Sequence, residues 1–491
     1  MRTIISWIFL VIGVTTFGQD GISSQFKDQR VTDTVYIPSK KVKSKYDDDT
    51  SWVENKFLPD VLVSNNGDKL VYQSGLSMRS EGKYKTHWNY VFYSRLGIAN
   101  QGPIAYASLP QTKSFYYHPL STNQTEAIYA DIRGAIFYRP SKYVRFDLGM
   151  GRNKLGGEQQ LLNERSLFSG DQGISNPYAS IDVTFGKFNY TLLQQVWREK
   201  IGNSFTPKGN STHYLSFKAT DKWHLGLFET VVYQMKDTLY NRGFEVEYLN
   251  PLLFYRPQEY NIGSADNIIL GFETQYKFKK ATLYGQILID DFLLSAYKSR
   301  NRWWANKFGV QIGISGVKSN FKEESKLKVF YYQTELNIMR PYVFSQVNPS
   351  VVYGNQGLPI AHPLGSNFIE LYQKIYFSFK SNWYIHTWAQ GYVKGMDFAD
   401  LPNKSFGGDI YMSYKYIDHE FNNTIGQGKT MQVVSIASQI GKSMETKQGA
   451  LRFFIEPKVR ITNVENHSLT NVYVTVGLQS TFWAHIDRRN Y

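Results

Sequence analysis

Aromatic and basic side chains recur together in the segments between the predicted strands, and they carry the chemistry that this sequence offers. The candidates for ligand contact are Tyr255, Arg256, Trp303, Trp304, Arg340 and His362. Aromatic faces stack on sugar rings, and a guanidinium pairs with a carboxylate through two parallel hydrogen bonds. These residue types predict binding of an acidic polysaccharide. They also suit a second interpretation, in which the aromatics mark the membrane interfaces and the arginines line a polar lumen.

No catalytic constellation stands out in the sequence. Asp290 and Asp291 are adjacent at the end of a predicted strand, so their side chains point to opposite faces and do not flank one glycosidic bond. The histidines show no His-Glu-x-x-His spacing for a metal. The Gly-x-Ser-x-Gly turn of esterases is absent as well. We therefore expect a protein that is not an enzyme and that uses no cofactor and no metal.

The scaffold for these side chains is a long series of segments in which apolar and polar residues alternate. In 128–138, Ile128 and Ile136 share one face, and Asp131 and Arg133 share the other. Alternation of this kind predicts strands with one apolar and one polar face. The predicted strands are 128–138, 143–150, 178–188, 189–198, 211–220, 222–233, 268–278, 280–289, 306–314, 326–336, 368–379, 382–393, 408–417, 430–440, 451–461 and 472–482. With one or two more between residues 69 and 98, the total is about 16 to 20.

The length of these strands points to a membrane. Many approach the ~9–11 residues that a tilted strand needs to cross a bilayer, whereas strands of soluble proteins have about five or six. The pattern predicts an all-β fold, a transmembrane antiparallel outer-membrane β-barrel of about 18 strands. Short turns such as 279–280 would be periplasmic, and the longer segments 153–177, 235–267 and 337–367 would be outer loops or inserts into the lumen. Periodicity does not say which face points outward, so a soluble sandwich is the competing architecture.

The N-terminus has the pattern of a secretory signal, with Arg2 before an apolar run at 4–14 that is too short to span a membrane. The chain has no Cys, which excludes a lipid-anchored lipoprotein and any disulfide framework. We predict a signal peptide at 1–18, a periplasmic N-terminal extension or plug at 19–68, and an outer-membrane β-barrel at 69–491.

Composition narrows the class of partners. The formal net charge is +14, and aromatic residues make up 16% of the chain. An exported basic protein is attracted to anionic lipopolysaccharide and acidic glycans, although solvated loops explain the charge equally well. The aromatic content suits the girdles of a membrane barrel and also a carbohydrate-binding β protein. Nucleic acid is not an expected partner in that compartment.

Ordered sequence blocks between residues 127 and 380 carry a resemblance to a known family. The blocks are 165–168, 176–178, 187–190, 213–216, 225–229, 242–257, 261–271, 283–286, 303–309, 340–342 and 358–365. They resemble the capsule-assembly (Wzi-like) family, in particular its gliding-motility (RemB-like) branch from Bacteroidota. The resemblance implies an outer-membrane barrel of about eighteen strands whose members hold capsular polysaccharide without catalysis. It also implies that Pro-rich blocks such as 249–257 are plug or lumen loops.

These observations lead to one expectation and two alternatives. We expect a non-enzymatic outer-membrane barrel of the capsule-assembly and gliding-motility type, acting in cell-surface gliding motility or in attachment of surface polysaccharide. Its expected partners are outer-membrane lipid and lipopolysaccharide, an acidic surface polysaccharide, and proteins of the gliding or secretion machinery. The alternatives are an outer-membrane diffusion channel, which would conduct ions, and a secreted carbohydrate-active β-sandwich, which would need no detergent for extraction.

Overall fold

Long antiparallel strands dominate the computed structural model, which describes residues 31–32, 35–36, 51–66, 69–85, 87–100, 116–119, 126–156, 165–170, 175–201, 204–236, 242–251, 255, 266–319, 321–465 and 467–480. Within these residues, eighteen long strands form one closed barrel. They are β1 (Trp52–Asn66), β2 (Lys69–Tyr84), β3 (Trp88–Asn100), β4 (Glu126–Tyr138), β5 (Val144–Gly151), β6 (Asn176–Phe185), β7 (Phe188–Ile201), β8 (Ser204–Lys218), β9 (Trp223–Gln234), β10 (Asn267–Lys277), β11 (Thr282–Asp291), β12 (Lys307–Lys318), β13 (Leu327–Met339), β14 (Phe368–Phe379), β15 (Trp383–Met396), β16 (Lys429–Thr446), β17 (Gly449–Val464) and β18 (His467–Ser480). The predicted all-β barrel of about 18 strands is confirmed.

The barrel closes where β18 pairs with β1, for example at Leu478 and Val61. At this seam the backbone N–H of Ser480 donates to Asp60 Oδ1 at 2.9 Å. The barrel therefore begins at Trp52, and the expected boundary between residues 68 and 69 is corrected accordingly. The alternation pattern does not predict strand β1, because Asn55 and Pro59 lie on its outward face, where apolar residues are expected.

Short strand pairings also lie outside the eighteen main strands. Val31–Thr32 pairs with Val35–Tyr36, and Tyr116–Pro119 pairs with β4. The predicted signal peptide at 1–18 and the chain after residue 480 lie outside the described residues. Helix α1 (Leu294–Lys298) has five residues, and no helix in the described ranges is long and apolar enough to cross a membrane.

The apolar face of each strand points out of the barrel. On β14, Ile369 and Leu371 are 38% and 57% exposed, whereas the alternating Glu370 and Tyr372 are fully buried inside. On β4, Ile128 lies outside and is exposed. An apolar outer wall around a polar interior is the arrangement of a barrel that faces lipid, so the soluble sandwich does not fit this chain.

The two ends of the barrel differ in the length of their connections. The short turns lie at one end, for example 186–187, 219–222 and 380–382, and the long connections 235–266 and 340–367 lie at the other. Long connections mark the extracellular end of an outer-membrane barrel. Aromatic rings form a girdle at the short-turn end. They include Trp88 stacked on Tyr138 at 4.4 Å, and Phe188 stacked on Phe217 at 4.6 Å.

One predicted strand is wrong. Residues 408–417 belong to the connection between β15 and β16, where Tyr414–Tyr416 forms a single 3-10 turn. The alternation of large apolar residues there imitates a strand. The Asp397 carboxylate accepts the backbone N–H groups of Gly408 and Asp409, at 3.2 and 2.7 Å, so these groups are not free for a sheet.

Candidate functional site

A plug fills the half of the lumen nearer the extracellular end, which we call the upper half. We define the plug as residues 165–170 and 340–367. Phe168 of the plug stacks on Phe228 of β9 with ring centroids 4.6 Å apart. The Tyr353 hydroxyl donates to the carbonyl of Phe168 at 2.8 Å, which joins the two parts of the plug. Of the two placements expected for 337–367, an outer loop or an insert into the lumen, the structure has the second for 340–367, whereas 337–339 end strand β13.

A buried ion pair fixes the plug to the luminal wall. Arg165 Nη1 lies 3.3 Å from Glu370 Oε1, and the guanidinium stands 4.4 Å from the Tyr372 ring centre. Glu370 Oε2 accepts from Asn337 at 3.1 Å and lies 2.8 Å from His362 Nε2. Burial lowers the pKa of His362, against the opposing charge of Glu370. His362 is therefore a fully buried anchor of the plug, and we leave it out of the candidate site.

A second irregular segment lies on the outside of the barrel. We call it the strap, and define it as residues 242–251 and 255. Leu227, Glu229 and Val231 alternate along the outward face of β9, and Leu227 is 45% exposed. Glu229 and Val231 are nonetheless 3% and 0% exposed, because Tyr248 and Tyr255 cover them.

Polar side chains on this outward face hold the strap. The Tyr255 amide donates to Glu229 Oε1 at 2.5 Å, and the Tyr255 hydroxyl lies 2.6 Å from Ser211 Oγ and 2.5 Å from His213 Nε2. Gln194 Nε2 donates to the Tyr248 carbonyl at 3.1 Å. Backbone groups facing hydrocarbon need such partners, which explains polar residues on a wall that otherwise faces lipid.

The strap corrects the expected position of the Pro-rich block 249–257. The described part of 235–267 lies against the outer wall and not in the lumen. The lumen placement of the Pro-rich block is therefore wrong for 249–251 and 255, and the alternative expected for 235–267, an outer connection, is the one found. Tyr255 is fully buried as an anchor of the strap. Arg256 lies outside the described residues.

The remaining three candidates come together at the extracellular end, in what we call the loop patch: Arg302, Trp303, Trp304, Arg340 and Tyr414. Trp304 and Tyr414 have ring centroids 4.9 Å apart. Arg340 Nη2 donates to the Trp303 carbonyl at 3.3 Å. All five side chains are exposed or half-buried, so they are open to a ligand.

The loop patch holds two positive charges, Arg302 and Arg340, and a nearby carboxylate, Glu420, which accepts from Trp303 Nε1 at 3.3 Å. Burial and the nearby charge of Arg302 lower the pKa of Arg340. Neither guanidinium is paired with a carboxylate in the described part of the chain. Two adjacent guanidinium groups repel each other, and an anion between them relieves that repulsion. The patch therefore offers a site for a carboxylate or another oxyanion.

Several residues in or next to the loop patch and the plug have a positive φ. Arg300 and Arg302 have φ of 56° and 53°, and Tyr342 and Phe344 have φ of 66° and 70°. Side chains other than Gly rarely adopt this region, and such strain gathers at ligand sites. Sequence reasoning missed Arg302 and Tyr414. The position of Arg302 directly before Trp303 and Trp304 could have identified it. Tyr414 was missed because 408–417 was predicted to be a strand.

Comparisons with known proteins agree with the fold. No protein-family model matches the chain, and no curated protein matches it. Among solved structures, the chain is similar to Wzi, an outer membrane protein involved in group 1 capsule assembly in Escherichia coli that is described as a carbohydrate-binding β-barrel. The two are 13% identical over 86% of this chain and 83% of the other, with a TM-score of 0.50. The chain is also similar to OprD from Pseudomonas aeruginosa, 9% identical over 88% and 94% of the two chains, with a TM-score of 0.45.

At 13% identity, the likeness to Wzi shows the fold alone. The chain is thus an outer-membrane β-barrel with a fold similar to that of Wzi, as its closed sheet and apolar outer wall indicate. The fold implied by the sequence resemblance is confirmed, whereas the gliding-motility branch stays a prediction.

Proposed function

We propose that this barrel attaches an acidic polysaccharide to the cell surface and that the loop patch binds it. The observation that carries the proposal is the pair of guanidinium groups, Arg302 and Arg340, without carboxylate partners in the described residues and beside the rings of Trp304 and Tyr414. Aromatic rings stack on sugar faces, and guanidinium groups bind uronic acid carboxylates in a bidentate manner.

The filled lumen favours a protein that holds a glycan at the cell surface. It does not favour a channel through which a solute passes. The plug occupies the upper half, and a cluster of Tyr331, Tyr376 and Tyr384 occupies the half nearer the short turns. The fold relative Wzi is described as carbohydrate-binding, which agrees with the proposal. In our proposal the protein holds the glycan without catalysis, and gliding motility depends on the same surface.

Binding to purified full-length protein in detergent tests the proposal directly. We expect polygalacturonate, an acidic probe, to bind and dextran, a neutral probe, to bind at least tenfold more weakly, about 1.4 kcal/mol. The double variant R302Q/R340Q should lose about tenfold or more in affinity for polygalacturonate. Trp303→Ala with Trp304→Ala should weaken both probes, because stacking is independent of charge.

The matched control is Trp383→Ala, which removes an exposed Trp near the short turns at the opposite end of the barrel. Its affinity for polygalacturonate should equal that of the unchanged protein. Equal binding of the two probes, or full binding by R302Q/R340Q, would refute the proposal. In cells, R302Q/R340Q should release surface polysaccharide into the medium. A loss of colony spreading with polysaccharide still attached would instead favour a motility role that does not use the glycan.

A further inference from the structure

A groove on the outer wall lies next to the strap. Its volume is about 420 Å³, and the outward side chains that line it are Ile136, Leu148, Pro177, Ala179, Gln194, Val196 and Phe244. Ile136 pairs with Leu148, Leu148 with Ala179, and Ala179 with Gln194. The lining is therefore one row of neighbouring positions across β4 to β7, all on the face that meets lipid.

The shape of the groove follows from residue size and from the strap. Ala179 is small and forms a low floor between Leu148 and Gln194. Phe244 belongs to the strap and stands above this floor as a second wall, and it is 43% exposed. A floor with two apolar walls in contact with hydrocarbon suits a long, thin apolar ligand.

The height of the groove places it in the outer half of the membrane. Along β7, Phe188 belongs to the girdle at the short-turn end, and Gln194, Val196 and Arg198 follow on the same outward face. Arg198 comes ten residues after Phe188. Ten residues span about 33 Å along a strand, which a tilt of about 40° reduces to about 25 Å, the height of the apolar band. Arg198 therefore lies at the extracellular interface, directly above the groove.

Arg198 has the exposure that a lipid contact requires. Its side chain is exposed, while its backbone amide donates to Asn355 of the plug at 2.9 Å. The plug thus fixes the backbone at this point, and no carboxylate among the described residues pairs with the outward-facing guanidinium. A cation at the interface above an apolar groove matches a lipid with a phosphate head and an acyl chain.

We propose that the groove binds one acyl chain of lipid A, the lipid part of lipopolysaccharide, and that Arg198 binds its phosphate. This site lies on the membrane face of the barrel, apart from the loop patch, and it does not depend on the proposed polysaccharide binding. The strap creates the site because it supplies Phe244. We infer that the strap serves to hold the barrel against a particular lipid of the outer leaflet.

The test measures lipid binding to the full-length protein in detergent by native mass spectrometry. The probes are diphosphorylated lipid A and phosphatidylcholine, which has no net charge. Ala179→Phe fills the groove and should lower the affinity for lipid A about tenfold, since losing the burial of about two methylene groups suffices for that change. Arg198→Gln should lower it about threefold and remove most of its dependence on salt.

Two matched controls lie elsewhere on the same protein. Ile287→Phe enlarges an outward side chain on β11 that is 45% exposed and distant from the groove. Lys222→Gln removes an exposed cation at the short-turn end. Both should bind lipid A as the unchanged protein does, and a shift in gel migration on heating verifies that each variant is folded. Unchanged binding by Ala179→Phe would overturn the groove, and equal affinity for phosphatidylcholine would overturn the role of Arg198.

Discussion

The plug and the strap are both long extracellular connections that fold back onto the barrel, but they lie on opposite faces of its wall. The plug meets the luminal face, where Arg165 pairs with Glu370 at 3.3 Å. The strap meets the outer face, where the Tyr255 amide donates to Glu229 at 2.5 Å. In each case a carboxylate from a strand holds an irregular segment in place.

The difference lies in what each face of the wall offers. The luminal face is polar, so the plug finds partners without any break in the alternation of the strands. The outer face is apolar, and each unpaired backbone group there would cost several kcal/mol, roughly. The strap therefore needs Ser211, His213 and Glu229 at positions that otherwise contact lipid. Polar residues out of phase on neighbouring strands mark the place where an external segment docks.

The largest expected difference between the plug and the strap is the change in ion conductance when each segment is removed. In a protein whose Tyr331, Tyr376 and Tyr384 are replaced with Ser, replacing 343–365 of the plug with a short Gly-Ser linker should raise ion conductance in planar bilayers by about tenfold or more, because an unplugged lumen of this size carries water. The same replacement of 243–265 should leave conductance at its original low level, because the strap lies outside the lumen. A conductance that also rises when 243–265 is replaced would show that the strap blocks the channel as well. An open channel in the unchanged protein would favour a diffusion function.

Breaking the ion pair between Arg165 and Glu370 should lower the free energy of unfolding substantially. Arg165→Gln leaves Glu370 charged and buried, and breaking such a pair lowers the free energy of unfolding by about 3–5 kcal/mol. The double variant R165Q/E370Q removes both charges and should recover much of this loss. Unfolding by denaturant, followed through the heat-dependent gel shift, measures both variants. A double variant no more stable than the single one would mean that Glu370 acts through His362 and Asn337 instead.

Much of the fold could be predicted from the sequence, because alternation is set locally by each strand. The hairpin around 279–280 follows from two adjacent alternating runs, and the structure has it at β10 and β11. Two errors share one cause, namely that local pattern does not report pairing. Strand β1 was missed because Pro59 and Asn55 interrupt its apolar face. The segment 408–417 was accepted because large residues stand at alternate positions, namely Ile410, Met412, Tyr414 and Tyr416.

Less of the site could be predicted. Residue type identified Trp303, Trp304 and Arg340, and the structure brings them together. Type alone does not separate a ligand contact from an anchor, so Tyr255 and His362 joined the same group although both are buried. Burial of a loop side chain depends on which face the loop covers, and that is a long-range property of the closed barrel.

The smallest expected effect tests the two segments with matched substitutions. Tyr255→Phe removes the hydroxyl bonds to Ser211 and His213, and Tyr353→Phe removes the bond to the Phe168 carbonyl. Each should lower stability by about 1 kcal/mol, the usual net value of a hydrogen bond. The rate of amide hydrogen exchange should then rise in 242–251 for Tyr255→Phe and in 165–170 for Tyr353→Phe. Each substitution should leave the exchange rate of the other segment unchanged. Because the barrel wall separates the segments, a change in both regions from either substitution would mean that the plug and the strap are coupled through β7, where Asn355 already binds the Arg198 backbone.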